Sequence, residues 1–76
     1  MKTLEIDILL YHPEKPQELR VDLRVPVSNG TAKRLLTAQA NGTTIYEQTA
    51  LYQLAGAVGE LNGLRGIPLR VREVCI

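Results

Sequence analysis

A few side chains of this sequence are of the types that do chemistry in enzymes. His12 follows Tyr11 and has acidic residues nearby, so it is a candidate general base. Cys75 is the only cysteine and is a candidate nucleophile. Glu5 and Asp7 are two residues apart, and a pair of carboxylates on one strand face is the kind of arrangement that glycosidases use. Each of these chemistries needs partner groups at a suitable spacing.

None of these candidates has the partners that catalysis requires. No nucleophile or orienting group stands at a recognisable spacing from His12, which we interpret as an exposed residue of a proline-rich turn. No cation cluster or helix start is expected beside Cys75, and alternating charge on a solvated strand explains Glu5 and Asp7. One histidine and one cysteine are too few ligands for the usual zinc sites. We therefore expect no enzyme activity, no catalytic residue, no metal and no cofactor.

The residues around these candidates alternate between apolar and polar side chains, which predicts strands. From Thr3 to Tyr11 the even-numbered positions up to Leu10 are apolar, and from Leu19 to Val27 the odd-numbered positions are. The segment 12–16 contains two prolines and predicts a turn. The two strands should therefore form an N-terminal β-hairpin.

A third strand is predicted near the end of the chain, from Ile67 to Val74. Leu69 and Val71 should face the core, and the arginines that follow each of them should face the other side. The alternation breaks at Glu73, so we expect a β-bulge near this residue or fraying toward the end of the strand.

The longest segment with a helical period runs from Thr49 to Leu61. Its apolar residues recur every three or four positions, and the predicted stripe consists of Leu51, Leu54, Ala55, Val58 and Leu61. Thr49 is the expected N-cap and Asn62-Gly63 the expected stop. Gly56 and Gly59 each cost about 1 kcal/mol relative to alanine inside a helix. We expect them to let this helix lie close to its own sheet, with contact to a second copy or a partner as the alternative.

The segment from Thr31 to Ala40 has two interpretations. As a helix it begins at Thr31, ends at Asn41-Gly42 and has an apolar face formed by Ala32, Leu35, Leu36 and Ala40. As a strand it pairs with residues 43–48 across Asn41-Gly42, the commonest type of two-residue hairpin turn. Its residue types favour a helix over 31–41, whereas those of 43–48 favour extended structure. We prefer the helix and expect 43–48 to be extended.

The outer face of the predicted sheet is the surface with the most specific composition. Its candidate members are Leu9, Tyr11, Arg20, Arg24, Arg70 and Arg72. Arginines and aromatic residues on an open sheet can bind single-stranded RNA, but the chain has no Phe or Trp and acidic residues share the face. Arg and Tyr are also enriched in protein interfaces. With Gly56 and Gly59 of the helix, these six residues form the predicted interaction surface.

The length and charge of the chain limit its partners. We expect the 76 residues, 1–76, to form one domain whose stability depends on good packing or self-association, since there is no disulfide. A net charge of +1 gives no strong field toward nucleic acid or a membrane. Acidic residues interrupt the apolar positions near the N-terminus, so we expect no signal peptide and a cytoplasmic protein.

These patterns together predict an α+β domain. Its antiparallel sheet consists of the N-terminal β-hairpin and the C-terminal strand, with a second hairpin as the alternative for 31–48, and packs on one main α-helix. The early strand–strand–helix order resembles ubiquitin-like β-grasp folds in size and layout, which implies a fold and no function.

We expect a non-enzymatic protein-binding module that regulates or inhibits a protein partner by covering its surface, as small proteins of phages and mobile elements do. A homodimer is a further expectation, and an RNA- or DNA-binding protein that uses the arginine face is the alternative.

Overall fold

The computed structural model describes residues 1–74. Its elements in chain order are β1 (Lys2–Tyr11), β2 (Glu18–Val27), α1 (Asn29–Asn41), α2 (Gln48–Leu61) and β3 (Arg65–Val74). The strands form a three-stranded antiparallel sheet in the order β2-β1-β3. Both helices pack on one face of the sheet, the inner face, and leave the outer face open. The predicted α+β class is confirmed, and the preferred helix over 31–41 is present as α1 beside the main helix α2.

The apolar row of β1 forms the centre of the core. Its members, all without exposed surface, are Leu4, Ile6, Ile8 and Leu10. Burying a side chain of this size is worth about 1.5–3 kcal/mol relative to leaving it exposed. β2 pairs with β1 along its whole length, from Lys2 opposite Val27 to Tyr11 opposite Glu18. The predicted N-terminal hairpin is confirmed, and β1 is the central strand because β3 pairs with its other edge.

Segment 31–41 lies in the helix α1, as we expected, and the alternative interpretation of 31–48 as a second hairpin is wrong. The helix begins earlier than predicted because Ser28, not Thr31, is its N-cap: the Ser28 side chain accepts a bond from the Thr31 N–H at 3.1 Å. Gly42 ends the helix with a φ of 67°, a conformation that glycine adopts without strain. The buried face includes Ala38, whereas Ala40, expected in the core, is exposed.

The segment 43–47 is a loop and a turn, so the predicted extended structure is wrong. Two turn bonds lead directly into α2: the Gln48 N–H donates to Ile45 O at 3.1 Å and the Thr49 N–H to Tyr46 O at 3.0 Å. Thr49 therefore lies inside the helix, and Glu47 occupies the cap position without a side-chain cap bond. Instead, Glu47 forms an ion pair with Arg34 of α1. This pair joins the start of α2 to the preceding helix.

The buried row of α2 is narrower than the predicted stripe. It consists of Leu51, Ala55 and Gly59, which recur every fourth residue and so lie above one another along the helix. Leu54 and Leu61 are 38% and 87% exposed, because they lie to the side of this row. The predicted stop is confirmed: Gly63 has a φ of 67°, and the Leu64 N–H donates to Gly59 O at 2.8 Å. Neither helix within residues 1–74 has the length and apolar character of a membrane span.

Two glycines bring the backbones of α2 and β3 into direct contact. A Cβ on Gly66 would lie 2.0 Å from Ala55 O, and a Cβ on Gly59 would lie 2.6 Å from Gly66 N. Real Cβ atoms do not approach backbone atoms this closely, so both positions require glycine. The expectation that small residues let the helix lie close to its own sheet is confirmed at Gly59. Gly56 is different, because a Cβ there would meet no atom within 4 Å.

The irregularity of β3 lies at Leu69 and not at Glu73. The register shifts between Asp7, which faces Arg70, and Ile8, which faces Pro68, so Leu69 has no partner residue. The predicted bulge near Glu73 is wrong. Glu73 continues the alternation opposite Leu4, and its carboxylate forms an ion pair with Lys2 at 2.8 Å, which accounts for a charged residue at this position. Leu69, predicted to face the core, is 43% exposed.

The glycine contact predicts opposite effects of one substitution at two positions of α2. Gly59→Ala should lower the free energy of unfolding by about 1–3 kcal/mol, because its Cβ would push the helix away from β3. Gly56→Ala is the matched control and should raise it by about 0.5–1 kcal/mol, because alanine is the better helix former and the space is open. Urea denaturation followed by circular dichroism measures both. Equal effects at the two positions would contradict the close contact.

Candidate functional site

The outer face of the sheet presents a row of side chains from each strand. Its members are Thr3, Glu5, Asp7, Leu9 and Tyr11 of β1, Glu18, Arg20, Asp22, Arg24 and Pro26 of β2, and Arg65, Ile67, Arg70, Arg72 and Val74 of β3. The six sheet residues of the predicted interaction surface share this face, as the alternation indicated. Their binding of a partner stays a prediction.

Glu5 lies between an arginine from each neighbouring strand. It faces Arg24 of β2 and Arg72 of β3. Arg72 Nε donates to Glu5 Oε1 at 2.8 Å, and Arg24 Nε donates to Glu5 Oε2 at 3.1 Å. Only 8% of Glu5 is exposed. A carboxylate removed from water in this way is stable because two cations supply charge-assisted hydrogen bonds.

The same bonds change the ionisation of the cluster. Hydrogen bonds from Arg72 and then from Arg24 hold the pKa of Glu5 below its ordinary value, and the bond to Glu5 raises the pKa of Arg72. Two of the four arginines of the predicted surface are thus paired with one carboxylate. This pairing weakens the RNA- or DNA-binding alternative, which depends on arginines that are available to phosphates.

A pair of like charges lies next to this cluster. Asp7 faces Asp22 on β2 and Arg70 on β3. The hydrogen bond with Asp7, then partial burial and repulsion by Asp7, raise the pKa of Asp22 above its ordinary value. Like charges directly opposite each other destabilise a strand pair. A further cation beside Asp22 would therefore be stabilising.

The end of the outer face next to the hairpin turn is apolar. Leu9 faces Arg20 on β2 and Ile67 on β3, and Tyr11 faces Arg65. We call Leu9, Tyr11 and Ile67 the hairpin-end patch. All three side chains are half-buried although no helix lies over them.

Ile67 is the member of this patch that sequence patterning missed. Regular alternation with Val71 would place its side chain in the core, and the bulge at Leu69 turns it to the outer face. Pro68 was the available signal, because proline inside a strand marks an edge or a bulge. A bulge next to a functional surface commonly re-aims a side chain in this way.

The two helix glycines of the predicted surface do not join the outer face. Both lie on α2, which packs on the inner face. Gly59 is buried against β3 and so is already covered by the chain itself. Gly56 has open space around it. The predicted surface therefore divides into a contiguous sheet part and a helix part on the opposite side of the molecule.

The residues first considered for catalysis have structural partners. His12 Nδ1 accepts bonds from the Glu14 N–H at 3.0 Å and the Lys15 N–H at 3.1 Å, so this side chain closes the hairpin turn. Glu5 is held by its two arginines. Cys75 lies outside the described residues. Within residues 1–74, no three His, Cys, Asp or Glu side chains are placed to hold a metal ion.

A groove lies between α1, α2 and β3. Arg70 is the one charged residue among those that line it. Its two glutamines already bond the backbone: Gln48 Oε1 accepts from the Ile45 N–H at 3.1 Å, and the Gln39 amide bonds Val71. The groove therefore offers no pair of groups that could act as acid and base.

Comparison with models of known protein families, with curated proteins and with solved structures finds no match to this chain. The resemblance to ubiquitin-like folds therefore stays one of size and layout. The outer face itself combines paired charges with an apolar end.

The Glu5 cluster predicts a pH-dependent effect of Glu5→Gln. At pH 7 this variant should have a lower urea midpoint than the wild type, because two arginines would face a neutral group. Since the folded state lowers the pKa of Glu5, the stability it contributes is complete above its ordinary value of 4.5 and is lost as pH falls through the lowered value. The difference between variant and wild type should therefore shrink at acidic pH.

Glu60→Gln, at an exposed position of α2, is the control and should leave the urea midpoint unchanged at pH 7. Urea titrations between pH 7 and pH 2 measure all three proteins. A Glu5→Gln effect of constant size over this range would show that the side chain acts through packing and not through its charge.

Proposed function

We propose that this protein is a non-enzymatic module that binds another protein through the outer face of its sheet. The observation that supports this proposal is the hairpin-end patch, in which Leu9, Tyr11 and Ile67 lie together on the sheet face that neither helix covers. Grouped apolar residues on an open surface are typical of interaction sites.

The rim of the patch suits a protein partner. Arg20 borders Leu9, and Tyr11 lies between Glu18 and Arg65. Tyr and Arg are among the residue types that most often supply binding energy in interfaces, and a charged rim fixes the orientation of the partner. We infer a partner surface that presents an apolar side chain with acidic groups beside it.

The shape of the molecule suits action by occlusion. Its principal dimensions are 38 × 27 × 16 Å, so it is a flat body with the open sheet face on one broad side. A protein interface of standard size buries about 800 Å² on each partner, which a face of these dimensions can supply. A regulator or inhibitor that covers a partner's surface needs such a face and no concave site.

Capture from a lysate of the source cells tests this proposal. Immobilised wild-type protein should retain a protein that Leu9→Glu and Ile67→Glu variants retain about tenfold less, since burying one such side chain contributes about 1.5–3 kcal/mol. Leu61→Glu is the matched control, because Leu61 is 87% exposed on the helix side. It should retain the same protein as the wild type.

Two outcomes would contradict the proposal. One is capture of the same proteins at equal levels by wild type, Leu9→Glu and Ile67→Glu, with all variants folded by circular dichroism. The other is retention of RNA or DNA that is released by moderate salt and by substitution of Arg20 and Arg70. That outcome would favour the nucleic-acid alternative, because phosphate contacts are strongly salt-dependent.

A further inference from the structure

The two free edges of the sheet are protected to different degrees. On β3, the Gln39 side chain of α1 bonds the edge at Val71: its Oε1 accepts from the Val71 N–H at 2.7 Å, and its Nε2 donates to Val71 O at 2.9 Å. Pro68 and the bulge at Leu69 interrupt the same edge. These are devices by which sheets prevent pairing with other chains. On β2, ten residues form a continuous edge without a bulge.

The hydrogen-bonding phase of β2 determines which backbone groups face this open edge. In an antiparallel ladder, pairs that exchange N–H···O bonds alternate with pairs that do not. His12 and Gln17 continue the register of β1 and β2 beyond the strand ends, and the His12 N–H donates to Gln17 O at 3.0 Å. Every second pair counted from this one is a bonded pair, so the bonded pairs involve the odd-numbered residues of β2. The N–H and C=O groups of its even-numbered residues point away from β1. Pro26, which has no N–H, occupies one of these outward positions.

The inner face of β2 is also incompletely covered. Its apolar row is only partly buried and consists of Leu19, Val21, Leu23, Val25 and Val27. Leu19 is 51% exposed. The helices pack mainly against β3 and β1, so the second strand has an apolar row with little above it. An open edge beside an exposed apolar row favours the addition of another strand.

The charges of β2 are complementary to those of a second, antiparallel copy. When two β2 edges pair antiparallel, the outward even-numbered residues of one copy bond those of the other. The two-fold axis therefore lies at one residue position, where that residue faces its own counterpart in the second copy. With the axis at Val21, Arg20 lies opposite Asp22 of the second copy and Glu18 lies opposite its Arg24. Every charged pair in this register is attractive, which stabilises cross-strand contacts.

The neighbouring registers are less favourable. An axis at Asp22 or at Arg20 places that charged residue opposite its own copy, with a second pair of like charges beyond it. An axis at Leu23 places Pro26 opposite Arg20, where proline cannot donate the bond that the ladder needs. An axis at Leu19 pairs Glu18 with Arg20 but brings only residues 18–20 of β2 opposite one another. Among the registers without like charges or a proline in the ladder, the axis at Val21 therefore pairs the longest stretch of β2, residues 18–24.

We propose that two copies of this chain pair through their β2 edges, antiparallel and about a two-fold axis at Val21, to form one continuous sheet. Leu19 of each copy then lies beside Leu23 of the other, which removes part of the exposed apolar row from water. Arg20 of the second copy supplies a cation beside Asp22, which within one chain faces the like charge of Asp7. The dimer forms from this protein alone and does not depend on the protein partner proposed above.

Charge reversal tests the pairing and its register. The wild type should have the mass of two chains in sedimentation equilibrium. Asp22→Arg and Arg20→Asp each turn two attractive contacts of the dimer into repulsive ones and should weaken dimerisation about tenfold or more. The double variant restores opposite charges and should recover the dimer. Asp22→Arg also removes the like charge opposite Asp7, so it should leave the single chain folded.

Arg65→Asp, a charge reversal on β3 far from the β2 edge, is the control and should leave the mass unchanged. A wild type that stays a single chain at millimolar concentration would overturn the proposal. Equal dimerisation of the wild type and both single variants would overturn it as well. Failure of the double variant to recover the dimer would overturn the Val21 register.

Discussion

The backbone contact between Gly59 of α2 and Gly66 of β3 sets the position of the helix layer. No side chain separates the two backbones at this point, so α2 lies directly against the third strand. The helices then cover β3 and β1, and the four buried residues of β1 become the centre of the core. Two short helices placed in this way do not reach across β2, whose apolar row stays partly exposed. The incomplete cover of β2 is therefore a consequence of the close packing of α2 on β3, at the other edge of the same sheet face.

The outer face differs from an ordinary solvated sheet surface in how its charges are arranged. Glu5 on the central strand binds arginines on both neighbours, so its ion pairs extend across all three strands. Arg24 and Arg72 are thus paired with Glu5, whereas a face that binds nucleic acid would direct such arginines at phosphates. Beyond the cluster, the bulge at Leu69 places Ile67 next to Leu9. The face thus combines an internally neutralised half with an apolar end, a composition suited to a protein surface.

Sequence patterning was most successful where periodicity and burial agree. The alternation of β1 and β2 predicted the hairpin and the side chains of both faces, and propensity favoured the correct helix over 31–41.

The details that failed depend on contacts between distant segments. Ser28 and Thr31 are both residue types that cap helices, so the local sequence did not distinguish between them. The start of α2 depends on turn bonds and on the ion pair between Arg34 and Glu47. Pro68 indicates an irregularity in β3, but the position of the bulge depends on how β3 meets β1, so the sequence alone did not assign Ile67 to the outer face. The edge-capping role of Gln39 joins residues 32 positions apart and has no local signal.

Hydrogen exchange of single backbone amides, measured at several protein concentrations, tests most directly whether β2 is the edge at which this protein pairs. The N–H groups of Arg20, Asp22 and Arg24 point away from β1, so they should exchange rapidly in dilute protein and become protected as concentration rises. The Val71 N–H should be protected throughout, because Gln39 of the same chain accepts its bond. Rapid exchange of the three β2 amides at every concentration would contradict pairing through this edge. Rapid exchange at Val71 would contradict the difference between the two edges.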